Sequence, residues 1–214
     1  VLLVATIRAL KYNGNNSLKD GLCNLGVHIE NLFKFNQNVI VVLNKFPDDT
    51  TDDINIVREY VNSFNVPFTV STAYIDGENG ASEVVKEVIK CKEKELNLLY
   101  KLNDKLEDKI DIMCKSICRC NKIEYSEMAK EKIKRYSNIE YPICIAKTQY
   151  SISDDAKKLG APSNYTLTVR DIKVNNGAKF ITVYLGNILT MPGLSKHPNA
   201  CNIDLVNDEI VGIF

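Results

Sequence analysis

Two short apolar runs without alternation organise the pattern of this chain. Val39 to Leu43 are five consecutive apolar, mostly β-branched residues. They are too few for a helix and have no polar face, which predicts a strand covered on both sides in a parallel sheet between helices. Val1 to Ile7 repeats the pattern and predicts a second fully buried strand, and Val66 to Val70 a third. Helical spacing fills the intervals. Leu22, Leu25, Ile29, Leu32 and Phe33 recur at helical intervals after Ser17, a candidate cap. Asp48, Asp49, Thr50 and Thr51 offer cap oxygens to a helix from Asp52 to about Phe64, whose first turn is acidic. Right-handed crossovers then place the three strands in one parallel sheet. Open α/β sheets bind ligands outside the carboxyl ends of their strands. The loops leaving those ends are Asn44-Lys45-Phe46-Pro47 and Ser71 to Gly80, and they carry the aromatics Phe46 and Tyr74.

Beyond residue 80 the pattern changes twice. Ala81 to about Cys120 has an approximate apolar stripe from Val84 to Ile117, read as one bent helix or two, and Ser126 opens a short helix to about Tyr136. Tyr141 to Lys147 reads as a strand, and Thr148 to Asp155 as a polar loop. Strands follow at Tyr165 to Val174 and Phe180 to Leu189 around a turn at Asn175-Asn176-Gly177, then a turn at Thr190 to Leu194 and a terminal hairpin from Ile203 to Phe214. The fold class is α/β. A parallel sheet flanked by helices occupies residues 1–80, a helical segment 81–140, and a smaller strand-rich α+β region 141–214.

Composition excludes more than it identifies. The 214 residues carry 27 basic and 27 acidic side chains, interspersed, with no basic tract that favours nucleic acid or an acidic membrane surface. No apolar run approaches the roughly 20 residues of a membrane span, and Val1 to Ile7 lacks the charged start and cleavage site of a signal peptide. The seven cysteines are odd in number and lack paired spacing, which suits reduced thiols in a cytoplasmic protein. Cys114 and Cys118 share a helix face close to Cys120, but no histidine nearby completes a metal site, and none is assigned. A buried strand at residue 1, with no initiating Met, predicts a carboxyl-terminal fragment or one part of a split polypeptide.

Familiar catalytic patterns are missing. The sequence has no Gly-x-x-x-x-Gly-Lys-Ser/Thr phosphate loop and no Gly-x-Gly-x-x-Gly, and His28 and His197 lie far from any nucleophile partner. Residues alone define a ligand-binding α/β unit with two aromatic-bearing loops.

Five ordered motifs add a resemblance. Val4-Ala5-Thr6-Ile7-Arg8-Ala9-Leu10-Lys11-Tyr12-Asn13-Gly14 resembles the signature of the formate-tetrahydrofolate ligase family. Asn44-Lys45-Phe46-Pro47, the stretch Ala146 to Asp154, Met191-Pro192-Gly193-Leu194 and Val211-Gly212-Ile213-Phe214 resemble its later motifs in the same order, so the resemblance covers essentially the whole chain. It implies part of a P-loop NTPase-like domain and an ATP-dependent enzyme that joins formate to tetrahydrofolate through formyl phosphate. ATP with Mg2+ and a monovalent cation are the implied cofactors, and formate and tetrahydrofolate the substrates. The implied partners are a missing amino-terminal segment, which holds the phosphate loop and most catalytic groups, and further copies in a homo-oligomer.

Carried over by motif, Phe46 and Pro47 form one wall of the folate site and Tyr74 the other, Tyr74 standing where the family has Trp. Tyr keeps a π-face with less stacking area. Asn15 stands where the signature usually ends in Gly, and Asn tolerates left-handed φ. Thr6, Arg8, Lys11, Asn44, Lys45, Lys147, Gln149 and Tyr150 are candidate cleft residues. A second reading is a non-catalytic folate- or partner-binding module that has lost the phosphate loop. A third, a nucleotide switch reading a base through Asn44-Lys45, conflicts with Pro47-Asp48, which departs from Asn-Lys-x-Asp spacing.

Overall fold

A computed structural model describes residues 1–186, 188, 196–207 and 209–212. The Met191-Pro192-Gly193-Leu194 motif and the last two residues of the final motif, Ile213 and Phe214, lie outside the described residues. β1 (Leu2–Ala5), β2 (Ile40–Asn44) and β3 (Phe68–Ser71) form a parallel sheet in the order β1-β2-β3, with Leu3 opposite Val41 and Val42 opposite Thr69. One face packs against α2 (Leu18–Phe33) and α3 (Thr51–Asn62) in a core that includes Leu25, Ile29, Leu43 and Val57. Ser17 and Thr50 cap these helices, each side chain accepting a backbone N–H three residues on.

The first strand departs from expectation. β1 is an edge strand of this sheet rather than a fully buried one, with Leu2 46% and Val4 62% exposed. Side chains alternate across a strand, so Leu3 and Ala5 reach the helix-covered core while Leu2 and Val4 face the other side. On that side α5 (Ser82–Lys90) packs over β3 and β2, where Val84 joins Ile40 and Val42 in a small buried cluster, and leaves β1 uncovered. Ile7 also leaves the strand. Thr6 accepts the Ala9 N–H and starts α1 (Ile7–Asn13), a helix that the apolar run disguised as strand. α1 lies so close to α2 that a Cβ on Gly21 would sit 1.8 Å from the Leu10 carbonyl oxygen. Asn15 takes φ 51°, the left-handed conformation expected where the signature has Gly.

The apolar stripe after residue 80 resolves into two helices, α5 and α6 (Leu106–Ser116), joined by irregular chain. The backbone of that connection bonds elsewhere: Asn97 N–H donates to Phe35 O (3.1 Å), and Glu95 O accepts from the Asn36 amide (2.9 Å). Helical geometry from 91 to 105 would break both bonds. The second sheet is mixed, in the order β4-β6-β7-β5, from β4 (Lys122–Tyr125), β5 (Ile143–Ala146), β6 (Thr166–Asn175) and β7 (Phe180–Leu185). β4 escaped the sequence reading because Lys122 and Glu124 leave only two apolar positions in it. The expected hairpin of β6 and β7 is present, as is the terminal one of β8 (Asp204–Val206) and β9 (Glu209–Val211). α6 and α7 (Glu127–Arg135) cover the mixed sheet, and their core includes Ile110, Leu167, Ile172 and Ile181. The architecture is thus α/β, with parallel strands flanked by helices. Among the described residues no helix is long and apolar enough to cross a membrane.

Candidate functional site

The carboxyl ends of the three parallel strands are Ala5, Asn44 and Ser71, and the register places their loops side by side. Lys45 N–H donates to Ser71 O (2.9 Å), tying the second loop to the third. Phe46 to Asp49 is a tight turn. Asp49 N–H donates to Phe46 O (3.1 Å), while the Asp49 carboxylate accepts Phe46 N–H (2.8 Å). Pro47 occupies the second position of the turn, where its fixed φ is favoured. Thr50 then starts α3, so the backbone of Phe46 is fixed from both directions.

α1 brings its charged side chains over this turn. The Arg8 guanidinium carbon lies 4.4 Å from the Phe46 ring centre, and Arg8 Nη2 is 3.4 Å from Asp48 Oδ2. One helical turn later, Lys11 Nζ is 2.9 Å from Asp53 Oδ2. Tyr12 meets Tyr150 with ring centres 6.1 Å apart and planes at 51°. Tyr150 belongs to the loop after β5, which is pinned to the first helices. Gly160 N–H donates to Asn13 Oδ1 (3.3 Å), and Gly160 O accepts from the Asn24 amide (2.8 Å).

The candidate residues therefore divide. Arg8, Lys11, Phe46 and Pro47 meet on one surface, joined through Tyr12 to Tyr150. Thr6 caps α1, and Asn44 and Lys45 end β2 beneath the turn. Gln149 is exposed on the loop that bears Tyr150. Tyr74 lies on the short α4 (Ala73–Asp76) with 83% of its surface exposed and does not stack on Phe46.

Lys147 turns away from this surface. Its Nζ donates to the carbonyls of Thr148 (3.3 Å) and Ser151 and borders a cavity of about 240 Å3 at the junction of the two sheets, next to Cys118 and His28. Burial lowers the Lys147 ammonium from its ordinary value, with neighbouring Cys118 acting against the shift. Both of its bonds tie together the loop that follows β5.

The three clustered cysteines are buried in the second core. Hydrogen bonding to Cys118 and then burial push the Cys114 thiol up, and burial takes Cys120 to about 11. Among the described residues no group of three or more His, Cys, Asp or Glu side chains is placed to hold a metal ion. The sequence reading did not single out Asp49, Asp53, Tyr12, Asn13 and Asn24 as parts of this surface. Asp49 and Asp53 were visible only as cap oxygen and helix charge, and the partners of Tyr12, Asn13 and Asn24 lie over a hundred positions away.

The family model described as Formate--tetrahydrofolate ligase matches residues 1–214. Three curated relatives carry that name. One from Petrotoga mobilis is 47% identical over 223 residues, covering 97% of this chain and 40% of the relative. One from Campylobacter concisus is 42% identical over 222 residues, covering 96% and 40%. One from Lactobacillus delbrueckii subsp. bulgaricus is 38% identical over 231 residues, covering 100% and 41%. The chain thus spans about two-fifths of the length of the curated relatives it matches.

Proposed function

The chain belongs to the formate-tetrahydrofolate ligase family, and from that premise we propose that it supplies the folate-side wall of an ATP-dependent ligase. In that reaction a formate oxygen attacks the γ-phosphorus of ATP, giving formyl phosphate and ADP. N10 of tetrahydrofolate then attacks the formyl carbon, and the C–O bond to phosphate breaks, giving 10-formyltetrahydrofolate and inorganic phosphate. The observation that supports this role is the rigid Phe46-Pro47 turn at the carboxyl edge of a parallel sheet, with its aromatic ring held at a fixed place beneath α1.

In this reading residues 1–80 are the carboxyl-terminal part of a P-loop NTPase-like domain, and the stretch 81–140, expected to be a helical segment, instead contributes β4, α6 and α7 to the α+β region that extends through 141–214 and braces that domain. Phe46 and Pro47 seat one face of the pterin, and Tyr74, exposed on the neighbouring loop, closes over the other. Fixing the ring in this way contributes positioning, a substantial part of what a protein adds to a transfer between two bound substrates. Among the described residues no group of three or more His, Cys, Asp or Glu side chains is placed to hold a metal ion; in this reading Mg2+, the monovalent cation and the ATP phosphates are held by chain beyond the two-fifths that matches the relatives. The complete ligase is taken as a cytoplasmic homo-oligomer.

The test is the Phe46→Ala variant in the full polypeptide that the coding sequence specifies, assayed for 10-formyltetrahydrofolate from formate, MgATP and tetrahydrofolate. Loss of the stacking face raises KM for tetrahydrofolate about tenfold, equivalent to about 1.4 kcal/mol, with the fold intact by circular dichroism. Unchanged tetrahydrofolate affinity sinks the assignment. Folate binding without turnover in the unmutated polypeptide favours the non-catalytic module, the reading prompted by the missing phosphate loop.

A further inference from the structure

Phe46 is not an open platform. The Arg8 guanidinium carbon sits 4.4 Å from its ring centre, well within the range at which a cation is drawn to an aromatic face. The arginine reaches across from the first turn of α1 and is tethered to Asp48, two residues past the ring, by a 3.4 Å ion pair. Both charged side chains stand mostly in water, 61% exposed for Arg8 and 86% for Asp48, so the ring face beneath Arg8 is the outward one. The backbone under the ring is held by the two Phe46–Asp49 hydrogen bonds and by the Thr50 cap. Ring and backbone are therefore fixed, while the group lying on the ring is a long, flexible side chain. Exposed ion pairs of this kind hold weakly.

We propose that Arg8 is a placeholder on the ligand face of Phe46: a flat pterin ring displaces the guanidinium, which then serves as a cation for the ligand's carboxylate tail. The proposal rests on Phe46 being the folate platform. Lys11, the next cation along α1, is engaged by Asp53 at 2.9 Å, with only 19% of the Asp53 side chain exposed, and is the less mobile of the two. Arg8 therefore does two things to binding. Leaving the ring costs affinity for any flat ligand, and meeting the tail returns it only to ligands that carry a carboxylate. The residue thus acts in specificity, favouring tetrahydrofolate over a tetrahydropterin that lacks the p-aminobenzoylglutamate tail.

The experiment compares calorimetric affinities of tetrahydrofolate and tail-less tetrahydropterin for the full polypeptide and its Arg8→Ala, Asp48→Asn and Phe46→Ala variants. Arg8→Ala tightens tetrahydropterin about two- to fivefold, the strength of an exposed cation–π contact, and lowers the ratio of tetrahydrofolate to tetrahydropterin affinity. Asp48→Asn loosens the tether, tightening tetrahydropterin by less while keeping that ratio. Weaker or unchanged tetrahydropterin binding in Arg8→Ala overturns the placeholder, and an unchanged ratio overturns the contact to the tail. If Phe46→Ala weakens both ligands while Arg8→Ala also weakens tetrahydropterin, the folate reading stands and the placeholder falls. If Phe46→Ala changes neither ligand, the folate reading falls and the placeholder with it.

Discussion

The two sheets of this chain use their polar groups in opposite ways. Around the mixed sheet, buried polar groups are satisfied within the protein. Lys109, fully buried, donates to the carbonyls of Leu102 and Tyr141 and faces the Tyr100 ring, and the buried Tyr165 hydroxyl donates to Cys118 O. Ser151 and Ser153 bond each other and the backbone of their own loop. Around the parallel sheet Asn31 is also buried and donates to Ile117 O, and the Thr69 hydroxyl is buried without a partner, but at the carboxyl edge the polar groups stand at the surface: the Arg8–Asp48 pair and the exposed Tyr74. Inward satisfaction of this kind makes a scaffold rigid. A surface whose charged and aromatic groups are only loosely engaged can exchange those contacts for a ligand.

The sharpest way to break this comparison is to cut into the scaffold. Leu167 on β6 is completely buried, and truncation to Ala removes packing and leaves a void. Leu167→Ala should lower unfolding stability by about 2–5 kcal/mol in a urea titration. A loss below about 1 kcal/mol would show that the mixed sheet is loosely packed and no more a scaffold than the first.

Lys109 tests the polar half of the contrast. Lys109→Ala removes the donor and the volume together, for an expected loss of about 2–3 kcal/mol. Lys109→Met keeps the volume and should cost about half as much. pH gives an independent readout, because burial lowers the Lys109 ammonium from its ordinary value, opposed by Asp104 and Glu140. Between the lowered folded value and the ordinary value of the unfolded chain, the unfolded state holds a proton that the folded state has released. Stability carried by Lys109 therefore rises with pH across that window. Relative to the parent, Lys109→Met should lose this rise when unfolding is followed from pH 8 to 10.5. An unchanged slope would mean that Lys109 is not desolvated in the folded protein.

Much of this contrast was legible in the sequence, for local reasons. The buried run at Val39 to Leu43 and the Thr50 and Ser17 caps depend on chemistry within a few residues and stand where their residues put them, and the turn expected at Asn175-Asn176-Gly177 lies one residue on, at 176–179, with Asn175 still paired to Phe180. The failures are equally physical. α1 was hidden because Ile7 and Leu10 extend an apolar run whose strand ends at Ala5, and only the Thr6 cap marks the change. The irregular chain from 91 to 105 depends on carbonyl and amide partners near residues 35–38, which no local pattern encodes. At the candidate site the motif supplied Phe46 and Arg8 separately. Their stacking is a tertiary fact, set by the register of β1 beside β2.

The smallest expected effect is the most informative about the first sheet. Val4 is 62% exposed on the side of β1 that α5 leaves uncovered, so Val4→Ser removes almost no packing and creates no cavity. In this chain the change should stay within about 0.5 kcal/mol of the parent, the usual range for surface substitutions. The relatives are about two and a half times longer than the matched region. If their additional chain covers this side of β1, the same substitution in a full-length relative removes a buried apolar contact and costs about 1–2 kcal/mol. Equal, near-zero losses in both settings would make the exposed side of β1 a true surface of the family. A loss confined to the longer protein would identify Leu2 and Val4 as core residues whose partners lie in the other three-fifths of the chain.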